Sequence, residues 1–84
     1  MNPVHVRTSS QLGPVLKQLR QTRGLSQLQL GEKIGLSQER ISVIENHPER
    51  VTFDQLLTIL MALDAEFAVL PRNATGTSTH QENW

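Results

Sequence analysis

Cysteine is absent from the 84 residues, which excludes a disulfide framework and a thiolate zinc site. No apolar run approaches the ~18 residues that a membrane-spanning helix needs. The opening stretch, MNPVHVRTSS, lacks the apolar segment of a secretory signal, so a soluble, cytoplasmic protein with no membrane partner is expected. His5, His47 and His80 share no ligand spacing, so neither a metal nor another cofactor is expected. No nucleophile–base pairing is visible either, and the chain is expected to be no enzyme and to take no small-molecule substrate. What remains is one small domain of limited core, the kind that gains from dimerising.

The formal net charge is zero, which argues against a simple nucleic-acid binder. Its distribution is uneven. Through Arg50, Arg7, Lys17, Arg20, Arg23, Lys33, Arg40 and Arg50 stand against Glu32, Glu39, Glu45 and Glu49; beyond it, only Arg72 faces Asp54, Asp64, Glu66 and Glu82. A docking face responds to local field more than to the total.

Residues 1–9 contain Pro3 and no helical period, and read as an arm. A helix-bearing domain follows over 10–64. Ser10 can cap a first helix, in which Leu12, Val15, Leu16 and Leu19 make a stripe. Pro14 falls in about its first turn, where a missing N–H costs least. Gly24 ends it. Ser26 caps a second helix over QLQLGEKI, which Gly35 ends, and Ser37 caps a third. A link as short as GLS forces two helices to cross steeply, the helix-turn-helix geometry. Thr52 caps a fourth helix, with Phe53, Leu56, Leu57, Leu60 and Leu63 on a wide apolar face. The run AEFAVLP suits a strand over 65–71, and a lone strand finds its pairing partner most economically in a second subunit. Residues 72–84 are small, polar and aperiodic, and are expected to form a disordered tail ending in the only tryptophan, Trp84.

The third helix is the unusual one. LSQERISVIEN threads Ile41 and Ile44 between Gln38, Glu39, Arg40 and Ser42. With its predecessor it carries a set of marks: Leu12-Gly13, Leu16, Arg20, Gly24-Leu25-Ser26-Gln27, Leu30-Gly31, Ile34-Gly35, Ser37, Ile41-Ser42 and Ile44-Glu45-Asn46. These marks resemble the helix-turn-helix of the XRE/phage-repressor superfamily. Within it, the C-terminal strand and the Trp-ended tail make the whole chain similar to the HipB-type antitoxins of HipA-type kinase toxins. The resemblance implies an all-α, lambda-repressor-like domain of four to five helices, with a short C-terminal β-strand forming an intersubunit lid in a homodimer. It also implies binding of palindromic double-stranded operator DNA, autorepression, and binding of a HipA-type kinase. One departure is Gly31, where the superfamily usually has Ala.

On this reading Gln38 and Glu39 open the recognition helix and face base edges. Gln suits adenine N6/N7; Glu accepts from cytosine N4 or repels phosphate. Ser37 and Ser42 lie on the same groove side, with Ser37 a cap first. Arg40 is expected to hold phosphate, and Gln27 resembles the superfamily residue that grips one at a helix N-terminus. Asn46 and Lys33 are further phosphate candidates, although Lys33, like Arg23, also reads as a solvated cation. For Arg20 and Glu45 the superfamily pattern suggests an intramolecular ion pair. Ile34, Leu36, Ile41 and Ile44 are expected to hold the two helices together. Phe53, Leu57, Met61 and Phe67 are core or dimer interface; Phe67 and Val69 are assigned to the interface, and Trp84 to the toxin. Two alternatives stand: an XRE regulator with no toxin, and an interaction module that has lost DNA binding.

Overall fold

Three of the four α-helices begin where a short polar side chain accepts from an N–H group of the first turn. In the computed structural model, which describes residues 3–72, the elements are α1 (Ser9–Thr22), α2 (Gln27–Ile34), α3 (Gln38–Asn46), a 3₁₀ turn (Pro48–Arg50) and α4 (Phe53–Ala62). Ser26 Oγ accepts from Gln29 N at 3.0 Å while Gln29 Oε1 accepts from Ser26 N at 2.8 Å, a reciprocal capping box on α2. Ser37 caps α3 through Arg40 N at 3.0 Å, and Thr52 caps α4 through Gln55 N at 3.1 Å. Such caps stabilise by about 1 kcal/mol each.

The start of α1 corrects the sequence reading. Thr8, not Ser10, is the N-cap, and Gln11 Oε1 accepts from Thr8 N at 3.1 Å. Thr8, Ser9 and Ser10 are all competent caps; Gln11, three residues beyond Thr8, selects the first. Pro14 is thereby carried out of the first turn into the helix proper. Its missing N–H leaves the carbonyl of exposed Ser10 without a helical donor.

Left-handed residues end three helices. Gly24 (φ 71°) and Gly35 (φ 75°) do so for α1 and α2, and Asp64 (φ 58°) follows α4. After α1 and α4 the same closure recurs: Leu25 N donates to Arg20 O at 3.2 Å, and Ala65 N to Leu60 O at 2.8 Å.

Leu16, Leu30, Ile41, Ile44, Leu56, Ile59, Leu60 and Leu63 form the core, so every helix contributes to it. Ile41 and Ile44 are each 1% exposed; Ile34 and Leu36 pack against the core from its edge. Two glycines bring backbones together. A Cβ on Gly13 would collide with the carbonyl oxygen of Glu45, and one on Gly31 with that of Leu36. Thus α1 lies directly on the end of α3, and the α2–α3 turn folds tightly back on α2.

The core uses only one side of α4. Phe53, Leu57 and Met61 point outward, with Met61 74% exposed. Beyond α4, residues 65–70 have no regular secondary structure, and Phe67, Val69 and Leu70 are exposed. The Phe67 ring folds back to meet Phe53 edge-on, centroids 5.3 Å apart at 88°. A strand that pairs only with its twin has no ladder partner in a single chain. No helix among the described residues is long and apolar enough to cross a membrane.

Candidate nucleic-acid interface

The polar residues at the head of α3 are turned outward because Ile41 and Ile44, on its other face, are locked in the core. Ser37, Gln38 and Glu39 are exposed, and Ser42 is half-buried on the next turn. Both α2 and α3 start with free N–H groups and the positive end of their dipoles, which favours an anion near each.

Behind this face lies a buried ion pair. Arg20 Nε donates to Glu45 Oε2 at 2.6 Å and Arg20 Nη2 to Glu45 Oε1 at 3.1 Å. The two side chains are 8% and 5% exposed. Arg20 Nη1 also donates to the carbonyl of Leu25 at 2.8 Å, which fixes the turn entering α2. A fork matched to a carboxylate is the strongest geometry an arginine has. Gln27 joins from α2: its Nε2 donates to Glu45 Oε1 at 3.2 Å. A residue expected at the phosphate is therefore also held from behind by the carboxylate at the end of α3.

Arg40 is likewise engaged within the chain. Its Nη2 donates to Gln55 Oε1 at 2.8 Å and to Arg50 O at 3.4 Å, tying the first turn of α3 to the first turn of α4. Its Nε and Nη1 have no partner among the described residues. Asn46 is exposed and folds over its own helix, Nδ2 donating to Ser42 O at 2.9 Å. Lys33 projects into solvent from the last turn of α2. Trp84 lies outside the described residues.

One participant was not singled out in the sequence: Gln55, which anchors Arg40, sits 15 residues away from it. Arg23, read from the sequence as a solvated cation, instead reaches 40 residues ahead to the carbonyl of Leu63. Neither pairing has a local pattern that announces it. Among the described residues no group of three or more His, Asp or Glu is arranged to hold a metal ion.

Two helices joined by a three-residue turn, the second offering a polar end outward from an aliphatic root, define a helix-turn-helix domain. The chain belongs to the helix-turn-helix family, whose model matches residues 16–70. More narrowly, it is HipB-like. Antitoxin HipB of Escherichia coli strain K12 is 34% identical over 79 residues, covering 93% of this chain and 90% of that protein. Antitoxin HipB of Escherichia coli O6:H1 strain CFT073 is 29% identical, covering 93% and 84%. Among solved structures, the chain is similar to HipB in a HipB–O4 20mer complex, with a TM-score of 0.75 at 30% identity over 82% of this chain and 97% of that one. A chain of a HipA–HipB–O2–O3 complex matches with the same TM-score of 0.75 and 30% identity.

Proposed function

We propose that this protein is a cytoplasmic antitoxin and autorepressor that binds palindromic operator DNA as a homodimer and binds a HipA-type kinase. The observation that carries the reading is the outward placement of Gln38 and Glu39 on a helix whose Ile41 and Ile44 are buried. A recognition helix needs both: free polar atoms for base edges and a rigid root that fixes their register. The HipB relatives, solved with 20mers and with HipA, support the same assignment.

Ser37, Gln38, Glu39 and Ser42 meet bases in this reading. Gln27, Arg40, Asn46 and Lys33 meet phosphates, Arg40 through the nitrogens that Gln55 leaves free. The outer face of α4 and residues 65–71 form the dimer contact, with Phe67 and Val69 on one side of an intersubunit strand. Exposed Phe53, Leu57 and Met61 continue that apolar surface. The two recognition helices then lie about 34 Å apart, one turn of the duplex.

The test is selection of a duplex from a random pool by the wild-type protein, followed by titration of variants. Gln38→Ala is expected to cost about 1–3 kcal/mol on the selected sequence and to relax preference at a single position of each half-site. Arg40→Ala is expected to weaken all sequences alike and to flatten the salt dependence by about one unit. A pool that stays random after selection overturns the DNA assignment. For the toxin, the proposal rests on Trp84 as an aromatic anchor. Removal of residues 73–84 is expected to lower affinity for a HipA-type kinase in calorimetry, and an unchanged affinity removes Trp84 from the contact.

A further inference from the structure

We propose that Arg23 is a positioning residue, a fork that ties the turn leading into α2 to the point where the chain leaves α4, and so sets the spacing of the two recognition helices in the dimer. The inference rests on the dimeric DNA-binding reading above and adds to it the part that fixes its geometry.

Arg23 closes α1, and its backbone N–H donates to Arg20 O at 3.1 Å. Its side chain leaves the helix and reaches the end of α4, 40 residues along the chain. Nε donates to the Leu63 carbonyl at 2.9 Å, and Nη2 reaches the Asp64 carbonyl at 3.4 Å and Asp64 Oδ2 at 3.2 Å. Leu63 is the residue that ends α4, is fully buried, and has no further helical turn to supply a donor to its carbonyl. Asp64 is left-handed, the one described non-glycine residue with positive φ. The guanidinium therefore sits on the two carbonyls between which the chain turns from α4 into residues 65–70.

That turn is where a small rotation has the largest reach. On one side lies the body that carries α2 and α3; on the other lie the exposed apolar residues Phe67, Val69 and Leu70. The Arg23 side chain is 46% exposed and that of Asp64 87%, so the ion pair contributes little by itself. The bonds to backbone carbonyls hold the direction. Arg20 braces the same α1–α2 turn from inside, through Leu25 O at 2.8 Å. The turn is thus fixed at one end to the α3 carboxylate and at the other to the exit of α4.

The chain has no cysteine, so Glu32→Cys on the exposed side of α2 gives a single spin-label site per subunit. The labelled dimer is expected to give one narrow inter-subunit distance by pulsed electron resonance. Arg23→Ala is expected to broaden that distribution, and Arg23→Lys, which keeps a donor for one carbonyl, to give an intermediate width. On the selected duplex, Arg23→Ala is expected to lose about tenfold in affinity, out of the ~10²–10⁴ that linking two sites supplies. Duplexes with half-sites moved apart or together by a base pair should then bind nearly as well as the selected one, at an unchanged salt slope. An unchanged distance width in Arg23→Ala overturns the proposal. So does a flatter salt slope with equal losses on single and paired half-sites, which makes Arg23 a phosphate contact. A wild-type sample with no inter-subunit distance at all overturns the dimer itself, a separate result.

Discussion

Glu45→Ala is expected to cost about 3–5 kcal/mol of folding stability, a large part of the ~5–15 kcal/mol that holds a small domain together. The cost comes less from the lost attraction than from what is left behind. Arg20 stays 8% exposed at its side chain, charged, with its carboxylate gone. Gln27 loses its acceptor at the same time. Burying an unpaired charge is the expensive event, and removing both partners avoids it. The double variant Arg20→Met, Glu45→Leu is therefore expected to be far more stable than Glu45→Ala alone. Urea unfolding checks both, as a lowered midpoint with an unchanged slope. A Glu45→Ala cost below about 1 kcal/mol, the range of surface pairs, contradicts the buried-pair account. Because Glu45 closes α3 and Gln27 opens α2, the variant should also blunt DNA binding without touching a base.

Gly13→Ala is expected to destabilise, against the usual sign. In an open helix this change stabilises by up to about 1 kcal/mol, since glycine is the freer backbone. Here the new Cβ is aimed at the carbonyl oxygen of Glu45, with a Pro48 ring carbon 3.4 Å away. Neither neighbour is the loose end of a flexible side chain. To admit the methyl group, α1 has to withdraw from the end of α3, which pulls Arg20 away from Glu45. Overpacking of this kind costs about 1–3 kcal/mol. A melting temperature that rises in Gly13→Ala contradicts the contact. A Cβ on Gly31 would meet the Leu36 carbonyl oxygen in the same way.

The local signals in the sequence were enough for most of the architecture. Ser26, Ser37 and Thr52 cap helices as their positions suggest, because a cap is decided by its own first turn. Ser10 failed for the same local reason: three adjacent residues compete, and Gln11 decides among them. On α4 the sequence names the apolar residues but not their sides. Leu56, Ile59, Leu60 and Leu63 reach the core, while Phe53, Leu57 and Met61 do not, because the core of so short a chain fills from one side. For the site, the outward set Ser37, Gln38 and Glu39 follows from the helical period and the buried isoleucines. The engagements of Arg40 with Gln55 and of Arg23 with Leu63 do not, since only the folded chain brings those positions together.

The rooting of α3 has a thermodynamic consequence. Ile41 and Ile44 belong to the same cluster as Leu16 and Leu60, so the recognition helix has no separate melting unit of its own. On the proposed reading its backbone meets a duplex already shaped, and the ordering cost that remains falls on exposed side chains such as Gln38 and Glu39. Selectivity built this way depends on fit between two stiff surfaces, and a mismatched base leaves an unsatisfied polar group that the helix cannot relax to accommodate.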